Sequence, residues 1–465
     1  MKKIAMMVLY GYLLAGATAC TVGPNYHKPD MPVGKGWSEK QAAGQIRQHE
    51  WWHGLHDATL DRLVNGALAG NPDWQAARSR IQQARAQRDA VQSALAPQLG
   101  AMGYVNALRQ TENGILPLKQ FPIIPRDANI YDAEFDASWE IDLFGGLHRR
   151  VEAARAQQAA SVASAQDLRE SLIAEVVRDY LTLRGQQHEL SALQHQLSVV
   201  DAQCELLRQR VASGDIAAYQ LDAALQQREQ LAASLPGMQA GLRAQAMALA
   251  VLEVELPESE LGLLNSSAGW PVLMPFPVGE RADVLRRRPD VRVAERQLAA
   301  ATADIGVATD EWFPHLILNA SAGYQALQPG QLWQSSSQTG SIMLLISWQI
   351  LNGGKVRADI HAAKAQQDIA AKAYVKTVLA ALDDAEQALS NYHQMLDSVR
   401  HQELAFAAAQ RAADRANQRF QAGDTNRQDM LSAQLALDDA QLLLAQARTE
   451  AAVDMVALRK ALGGA

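Results

Sequence analysis

The chain has 465 residues, of which 48% are hydrophobic, 20% charged and only 6% aromatic, and its formal net charge is −7 at pH 7. This acidic balance argues against a nucleic-acid-binding protein, and two cysteines exclude both a disulfide-stapled scaffold and a cysteine-rich metal site. The length would allow about three globular domains, but the abundance of Ala, Gln, Leu, Arg and Glu is typical of long helices. Beyond residue 20 the apolar runs stay shorter than the ~18 residues of a membrane-spanning helix, which argues against a helical inner-membrane protein.

The first 19 residues have the pattern of a secretory signal peptide. Two lysines precede an apolar stretch over residues 4–16. The small residues before Cys20 fit ordinary signal cleavage or lipoprotein processing, although Ala17 stands where lipoprotein signals usually have Leu. We expect lipid attachment (palmitate or a related acyl chain) at Cys20, with a free thiol as the alternative. Thr21 at the next position is typical of lipoproteins sorted to the outer membrane.

The rest of the sequence repeats itself at a nearly constant offset. Pro72-Asp73 matches Pro289-Asp290, and Gly214-Asp215 matches Gly423-Asp424. This pattern predicts a tandem duplication in which each half contains a short helix, a β-hairpin, a very long helix, a turn and a further long helix. The expected divisions are a signal peptide over 1–19, a lipidated N-terminal segment over 20–70, a first repeat over 71–256, a connector over 257–288 and a second repeat over 289–465.

Four stretches alternate between apolar and polar residues with the period of two that marks a β-strand. The clearest stretch is 130–143, in which the odd positions are apolar or small and most even positions are acidic. The acidic residues are Asp132, Glu134, Asp136, Glu140 and Asp142. Together with 101–110, 316–326 and 342–350, this stretch predicts two hairpins, over about 101–143 and about 316–351.

Strands with one apolar and one polar face fit a transmembrane β-barrel, in which each strand crosses the membrane with ~9–11 residues. A half-buried sheet in a soluble domain is the alternative, but the export signal and the aromatic residues near the strand ends favour the barrel. Four strands cannot close a barrel. Two chains would supply eight strands around a filled interior, whereas three chains would supply twelve strands around a lumen, so a homotrimer is the smallest open assembly.

Two of the expected helices are far longer than average. Residues 146–213 and 354–422 contain no proline, and at ~1.5 Å per residue each would extend ~100 Å. In the first repeat, 71–96 and 216–255 together reach the same length. Helices this long need lateral partners. A soluble coiled coil is the alternative, but the matched lengths and the strands favour an α+β membrane protein, with a twelve-stranded outer-membrane barrel continued by a helical barrel in the periplasm.

Several short motifs follow one another in a specific order. They are Gly23-Pro24-Asn25-Tyr26 after Cys20, Trp51-Trp52, Arg287-Arg288-Pro289-Asp290-Val291, Phe313-Pro314 and Leu351-Asn352-Gly353-Gly354. With these motifs the mature chain resembles the TolC family of outer-membrane efflux channels, in its OprM-like and NodT-type lipoprotein branch. The resemblance implies a trimeric, lipid-anchored channel in a Gram-negative outer membrane, with a periplasmic adaptor protein and an inner-membrane RND or MFS pump as partners.

The resemblance also implies a function and its sites. The channel would passively conduct drugs or other toxic small molecules out of the cell, and the duct of a type I protein-secretion system is the alternative. An equatorial belt would comprise 21–70, 256–285 and the C-terminal end, and the turns near Gly214 and Gly423 would meet the adaptor. The acids of 132–142 would line the barrel lumen and favour cations weakly.

A periplasmic gate is the other site that the resemblance implies. In the OprM-like pattern an Asp after the second turn forms a ring of carboxylates, and in this sequence Ser432 occupies its place. Asp424 and Asp429 are therefore the candidate gate charges, although each fits a solvated acid at a helix tip equally well.

The sequence lacks the motifs that common classes of enzyme require. It has no phosphate-binding Gly-Lys loop, no H-E-x-x-H motif and no G-x-S-x-G motif. His53 and His56 form a close histidine pair, but no cysteine or acidic cluster completes a metal site around it. We therefore expect no catalytic residue, no metal and no cofactor. A purely structural rod that spans the envelope is a third hypothesis, and such a rod would show no single-channel conductance.

Overall fold

The computed structural model describes residues 21–31, 33–34, 36–39, 50–111, 126–266, 269–271 and 273–464. The helices and strands in this part of the chain are, in order, α1 (Ala58–Gly70), α2 (Pro72–Ser93), β1 (Gln98–Arg109), β2 (Asp127–Ile141), α3 (Gly146–Ala212), α4 (Ala218–Leu252), α5 (Arg281–Arg287), α6 (Pro289–Asp310), β3 (His315–Ala326), β4 (Gln338–Ser347), α7 (Lys355–Gln421) and α8 (Arg427–Ala461). Short 3-10 helices lie at Trp51–Leu55, Ser259–Asn265, Pro329–Gln331 and Ser335–Ser337.

The internal contacts divide the chain into two units. The first unit comprises residues 1–29, 81–161 and 294–374, and it contains all four strands. The second unit comprises residues 30–80, 162–293 and 375–465. The four long helices α3, α4, α7 and α8 contribute to the second unit, and α3 and α7 begin in the first.

The first unit is built on an antiparallel sheet with the strand order β1-β2-β3-β4. In its register Asp136 lies opposite Gly100 on β1 and Ser321 on β3, and Ser321 lies opposite Ser341 on β4. Because side chains alternate between the two faces of a strand, this register places most large apolar side chains on one face of the sheet and most polar ones on the other, although Met102, Met343 and Leu345 lie on the second face. The four predicted strands are therefore confirmed.

Most strand bounds lie a few residues from the predicted ones, and the ends of β2 and β4 have a local reason. Strand β2 ends at Ile141. The next residue, Asp142, does not extend the strand, because its carboxylate accepts a hydrogen bond from the start of α3. Strand β4 ends at Ser347 because the Trp348 indole turns aside and donates its N–H to the carbonyl oxygen of Trp312 at 3.0 Å. At both points the chain leaves the sheet and leads into a long helix, α3 or α7.

Corresponding helices in the two halves of the chain have equal lengths. Helices α2 and α6 have 22 residues each, α3 and α7 have 67, and α4 and α8 have 35. These lengths follow the order of elements that the repeated motifs predict. None of the helices in the described residues is both long and apolar enough to span a membrane.

The second unit has a large apolar core. Its members come from residues 37–67, from 263–284 and from the long helices, and they include Trp52, Leu60 and Leu63, which are at most 1% exposed. The C-terminal end of α8 belongs to the same core through Leu458 and Leu462. Parts of the N-terminal segment and of the connector thus pack against the long helices and the C-terminal end of α8.

An ionic cluster of a half-exposed arginine and two largely buried carboxylates lies beside this core. Both guanidinium NH groups of Arg62 donate to the two carboxylate oxygens of Glu260, at 2.8 and 2.7 Å, whereas Glu253 lies farther away, at 3.4 Å. The Glu253 side chain is only 6% exposed and packs on Gly66, where an added Cβ would lie 2.1 Å from its Oε1. Burial is the main reason that the pKa of Glu253 rises from 4.5 to about 7.

We expect Glu253→Gln to change the pH dependence of stability. A carboxyl whose pKa is raised by folding stabilises most below its unfolded pKa, and this contribution is lost as the pH rises through about 7. The melting temperature of Glu253→Gln relative to the wild type should therefore increase from pH 5 to pH 8, measured by circular dichroism. Glu258, an exposed acid nearby, supplies the control Glu258→Gln. An offset that is the same at both pH values would contradict this interpretation.

Candidate functional site

The polar face of the sheet carries a row of carboxylates on a single strand. Asp132, Glu134 and Asp136 occupy alternate positions of β2. Their neighbours are uncharged, namely Tyr104, Met102 and Gly100 on β1 and Gln325, Gly323 and Ser321 on β3. The negative charge of this face is therefore concentrated along β2, without a base opposite it in the register of the described strands.

The carboxylates of this row differ in their surroundings. Asp132 is 5% exposed, and its Oδ2 accepts hydrogen bonds from Gln325 Nε2 at 2.9 Å and from the Tyr104 hydroxyl at 3.4 Å. Glu140, farther along β2 on the same face, lies 2.9 Å from His315 Nδ1. Within the described residues, Glu134 has no such side-chain partner. Glu134, with Asp136 two positions farther along the same face, is thus held by fewer contacts than Asp132.

Asp142, which the alternation placed on the same acidic face, lies beyond the end of β2. Its Oδ1 accepts from the backbone N–H of Leu147 at 3.2 Å, and its Oδ2 accepts from that of His148 at 2.8 Å. A carboxylate at a helix N-terminus satisfies otherwise unpaired amide groups and interacts favourably with the helix dipole. The assignment of Asp142 to the strand is corrected: it caps α3. An Asp shortly before a helix is the sequence signal that could have shown this.

The two longest helices end in turns of the same geometry. Gly214 has a φ of +73° and Gly423 a φ of +81°, in the left-handed region that favours glycine. The N–H of Asp215 donates to the carbonyl of Arg210 at 2.9 Å, and the N–H of Asp424 donates to the carbonyl of Arg419 at 2.8 Å. This bond from the residue after the glycine back across the last helical turn is the Schellman motif. It explains why glycine occurs at this point in both halves.

The three candidate gate residues lie in and after the second turn. Asp429 accepts a hydrogen bond from the Thr425 hydroxyl at 2.7 Å, and its backbone N–H donates to Asn426 Oδ1 at 2.9 Å, so it contributes to the N-terminal cap of α8. Asp424 is exposed at the turn, and Ser432 is exposed on α8. The structure thus gives Asp429 a capping role and leaves Asp424 and Ser432 on the surface of the described chain.

A side-chain bridge connects the two turns. The guanidinium of Arg210 at the end of α3 donates to Asp215 Oδ2 at 2.6 Å and to Gln428 Oε1, at the start of α8, at 2.8 Å. Farther along the same helices, Asp438 on α8 is 2% exposed and lies 2.8 Å from His195 Nδ1 on α3. We call these two contacts the α3–α8 links.

The second link was not predicted from the sequence. His195 and Asp438 are 243 positions apart, and no local pattern pairs them. One signal was available, since Leu431, Leu435 and Asp438 follow the i, i+4, i+7 spacing of a buried helix face. A carboxylate at such a position needs a partner, because an unpaired buried charge is costly.

Two predicted features remain outside these sites. Cys20, the predicted acylation site, lies outside the described residues. His53 lies 2.6 Å from Asp61 and 3.5 Å from Glu50. In the part of the chain that the structure describes, no group of three or more His, Cys, Asp or Glu side chains is placed to hold a metal ion.

Comparisons with known proteins agree with this architecture. The sequence model of the outer membrane efflux protein family matches residues 63–252 and again 281–464. Outer membrane protein OprJ of Pseudomonas aeruginosa is 29% identical, over 100% of this chain and 97% of OprJ. Nodulation protein T of Rhizobium leguminosarum bv. viciae is 27% identical, over 96% of this chain and 91% of that protein.

A similar structure has also been solved. The outer-membrane channel OprN superimposes with a TM-score of 0.86 at 32% identity, over 96% of this chain and 99% of OprN. The family is one of channels and not of enzymes, which confirms the expectation of a non-enzymatic protein. Because the two segments that match the family model make up most of the sequence, the chain belongs to the outer membrane efflux protein family, the TolC-type outer-membrane channels that its motifs indicated.

Proposed function

We propose that three copies of this chain form the outer-membrane channel of a tripartite efflux system. The channel passively conducts drugs or other toxic small molecules that an inner-membrane pump delivers. The observation that carries this proposal is the sheet, in which one face is mainly apolar and the other carries most of the polar side chains, above all on β2 and β3. Family membership supports the outer-membrane location and the efflux role.

The outer strands of the sheet favour an assembly of three copies. β1 and β4 are the outer strands of the sheet, and every residue of both strands is exposed. Lipid cannot satisfy the N–H and C=O groups of an open edge, so a sheet in a membrane must close. We infer that β4 of one copy pairs with β1 of the next. Three copies give twelve strands around a lumen, whereas the eight strands of two copies would fill with side chains.

The two faces then have different environments. Large apolar side chains such as Val105, Phe135, Ile342 and Ile346 are 61–83% exposed, and alternation places them on the apolar face, which would contact lipid. The polar face would line the lumen, with one β2 carboxylate row from each copy. Because the pore is wide and salt screens charges beyond ~10 Å, these rows give a weak preference for cations.

The long helices would form the periplasmic part of the channel, and an acyl chain would anchor it. The equal helix lengths in the two halves support a tandem duplication, and the twelve long helices of three copies would continue the pore through the periplasm. The apolar core that joins 37–67, 263–284 and the end of α8 would form the equatorial belt. The turns at Gly214 and Gly423 would meet the periplasmic adaptor, which connects to an RND or MFS pump. An acyl chain on Cys20 would anchor each copy in the outer membrane.

The α3–α8 links suggest how the periplasmic end is held. We propose that Arg210 with Gln428, and His195 with Asp438, keep α3 and α8 together in a narrow resting state. In a trimer Asp424 and Asp429 each bring three like charges to one level, and their repulsion opposes tight closure. The gate would thus balance attractive links against repelling tips.

Gene deletion tests the efflux role. We expect the deletion strain to become more sensitive to at least one toxic compound in a broad panel, with plasmid-borne wild type restoring resistance. Unchanged sensitivity across the panel, together with failure to export a large protein encoded beside an ABC transporter gene, would favour the type I secretion duct. An adaptor gene and an RND or MFS pump gene next to this one would favour efflux.

The carboxylate row is tested by ion selectivity in planar bilayers. We expect the double variant Glu134→Gln/Asp136→Asn to lower the cation-to-anion permeability ratio roughly twofold, measured as the reversal potential in a KCl gradient. Asp127→Asn is the matched control, since Asp127 lies on the same strand at a position of the opposite face. Equal ratios for the double variant and the wild type would contradict a lumen-facing row, and a wild type that does not conduct would leave only a structural rod.

The links are tested by removing one charge without changing shape. Asp438→Asn should weaken the contact with His195 and raise the mean conductance of the isolated channel, because the resting state loses one attachment. In cells the variant should admit a large antibiotic that the wild-type channel excludes. Asp414→Asn, an exposed acid of α7, is the control. Unaltered conductance of Asp438→Asn would show that this link does not hold the gate.

A further inference from the structure

The first turn of α3 contains a buried cation with an unusual set of partners. Arg149 is 3% exposed, and a helix N-terminus disfavours positive charge. Its Nε donates to the Val22 carbonyl at 3.0 Å, and its third nitrogen, NH2, donates to Asn25 Oδ1 at 2.7 Å and to the Gly23 carbonyl at 3.3 Å. Glu152 accepts from the remaining nitrogen at 2.7 Å. A buried guanidinium needs such acceptors, and three of the four lie on residues 22–25.

The backbone of the same segment packs directly on α6. Gly23 has a φ of +84°, and a Cβ added to it would lie 2.5 Å from the Cα of Gly306. A Cβ added to Gly306 would lie 2.6 Å from Arg149 Cγ and 2.9 Å from the Val22 carbonyl oxygen. Glycine is therefore required on both sides of the contact, for conformation at one position and for space at both.

Tyr26 fixes the other end of the segment. Its hydroxyl donates to Glu295 Oε1 on α6 at 3.1 Å. Its ring packs against three buried alanines, Ala156 on α3 and Ala299 and Ala300 on α6. The small side chains of the two helices leave the space that the ring fills.

The segment also contacts the end of the sheet. The N–H of Val22 donates to the carbonyl of Phe144 at 3.0 Å. Thr21 lies so close to Gly145 that a Cβ on this glycine would approach Thr21 Cγ2 to 2.5 Å. Residue 21 is therefore fixed between the end of β2 and the start of α3.

We propose that residues 21–29 form a docking strap and that Arg149 is the residue that positions it. The strap holds the residue that follows the predicted acylation site at the strand-to-helix junction, so the fold itself fixes where the anchor joins the channel. The anchoring role rests on the proposed outer-membrane function. The docking itself rests on the contacts of residues 21–29 alone.

Limited proteolysis of the full mature chain in detergent tests the strap. Chymotrypsin cleaves after aromatic residues, and the docked Tyr26 ring makes the Tyr26–His27 bond a poor substrate. We expect Arg149→Ala to be cleaved there about tenfold faster than the wild type or more, because cleavage follows the population of the undocked state. The release of the N-terminal fragment is followed by intact mass spectrometry. Arg150→Ala, a substitution of the exposed neighbour, should be cleaved like the wild type.

Two further variants separate docking geometry from charge. Arg149→Lys keeps the charge but lacks the planar fork that reaches several acceptors, so its cleavage should be faster than that of the wild type and slower than that of Arg149→Ala. Gly23→Ala should be cleaved as fast as Arg149→Ala, whereas Gly36→Ala, with nothing within 4 Å of its added Cβ, should be unaffected. Wild-type cleavage rates in Arg149→Ala and Gly23→Ala would overturn the proposal.

The result can be separated from unfolding and from the proposed function. Far-UV circular dichroism shows whether Arg149→Ala keeps its helices. If it does not, Tyr26→Phe, which removes only the hydrogen bond to Glu295, supplies the test and should raise cleavage about threefold; an unchanged rate would count against docking. A wild-type protein that resists cleavage but does not conduct would contradict the channel and leave the strap standing.

Discussion

Hydrogen bonding at the two outer strands of the sheet is the constraint on which the rest of the assembly depends. β1 and β4 each present a row of backbone groups that have no partner strand within the described chain. In water such edges are tolerated, but in lipid they are not. In the proposed channel the apolar face contacts lipid, so the edges would be satisfied by further copies of the chain. The number of copies would then follow from the need for a lumen, and the number of long helices from the number of copies.

The register of the sheet decides whether such an assembly can work as a pore. A shift of one residue in any strand would move its apolar residues to the polar face. Instead Asp136, Ser321 and Ser341 lie in one row across three strands, and the Ser321 and Ser341 hydroxyls are 3.0 Å apart. The polar face is thus consistent across both hairpins, although the hairpins are far apart in the sequence.

Local patterns predicted much of this architecture, and the two exceptions have separate physical causes. Alternation located the strands because burial of one face of a sheet is encoded with a period of two. The turns at Gly214 and Gly423 were identified because positive φ restricts the residue type. Asp142 was misplaced because its carboxylate serves the helix that follows rather than the strand that precedes it. Long-range contacts are harder to predict: the spacing of Leu431, Leu435 and Asp438 indicates a buried helix face, but no local pattern identifies His195 as the partner of Asp438.

The long-range polar contacts also compensate for what alanine-rich helices lack. Alanine surfaces permit close packing, but they present few features that fix how one helix is rotated or shifted against another. Arg149, in the first turn of α3, donates to acceptors 124–127 positions away in the sequence. Arg210, in the last turn of α3, contacts Gln428. Each such contact has a strict geometry and penalises a shifted neighbour by leaving a polar group unpaired. The 67-residue helix is thus fixed at both ends by groups whose hydrogen bonds admit one arrangement, while the alanines between them supply the close approach.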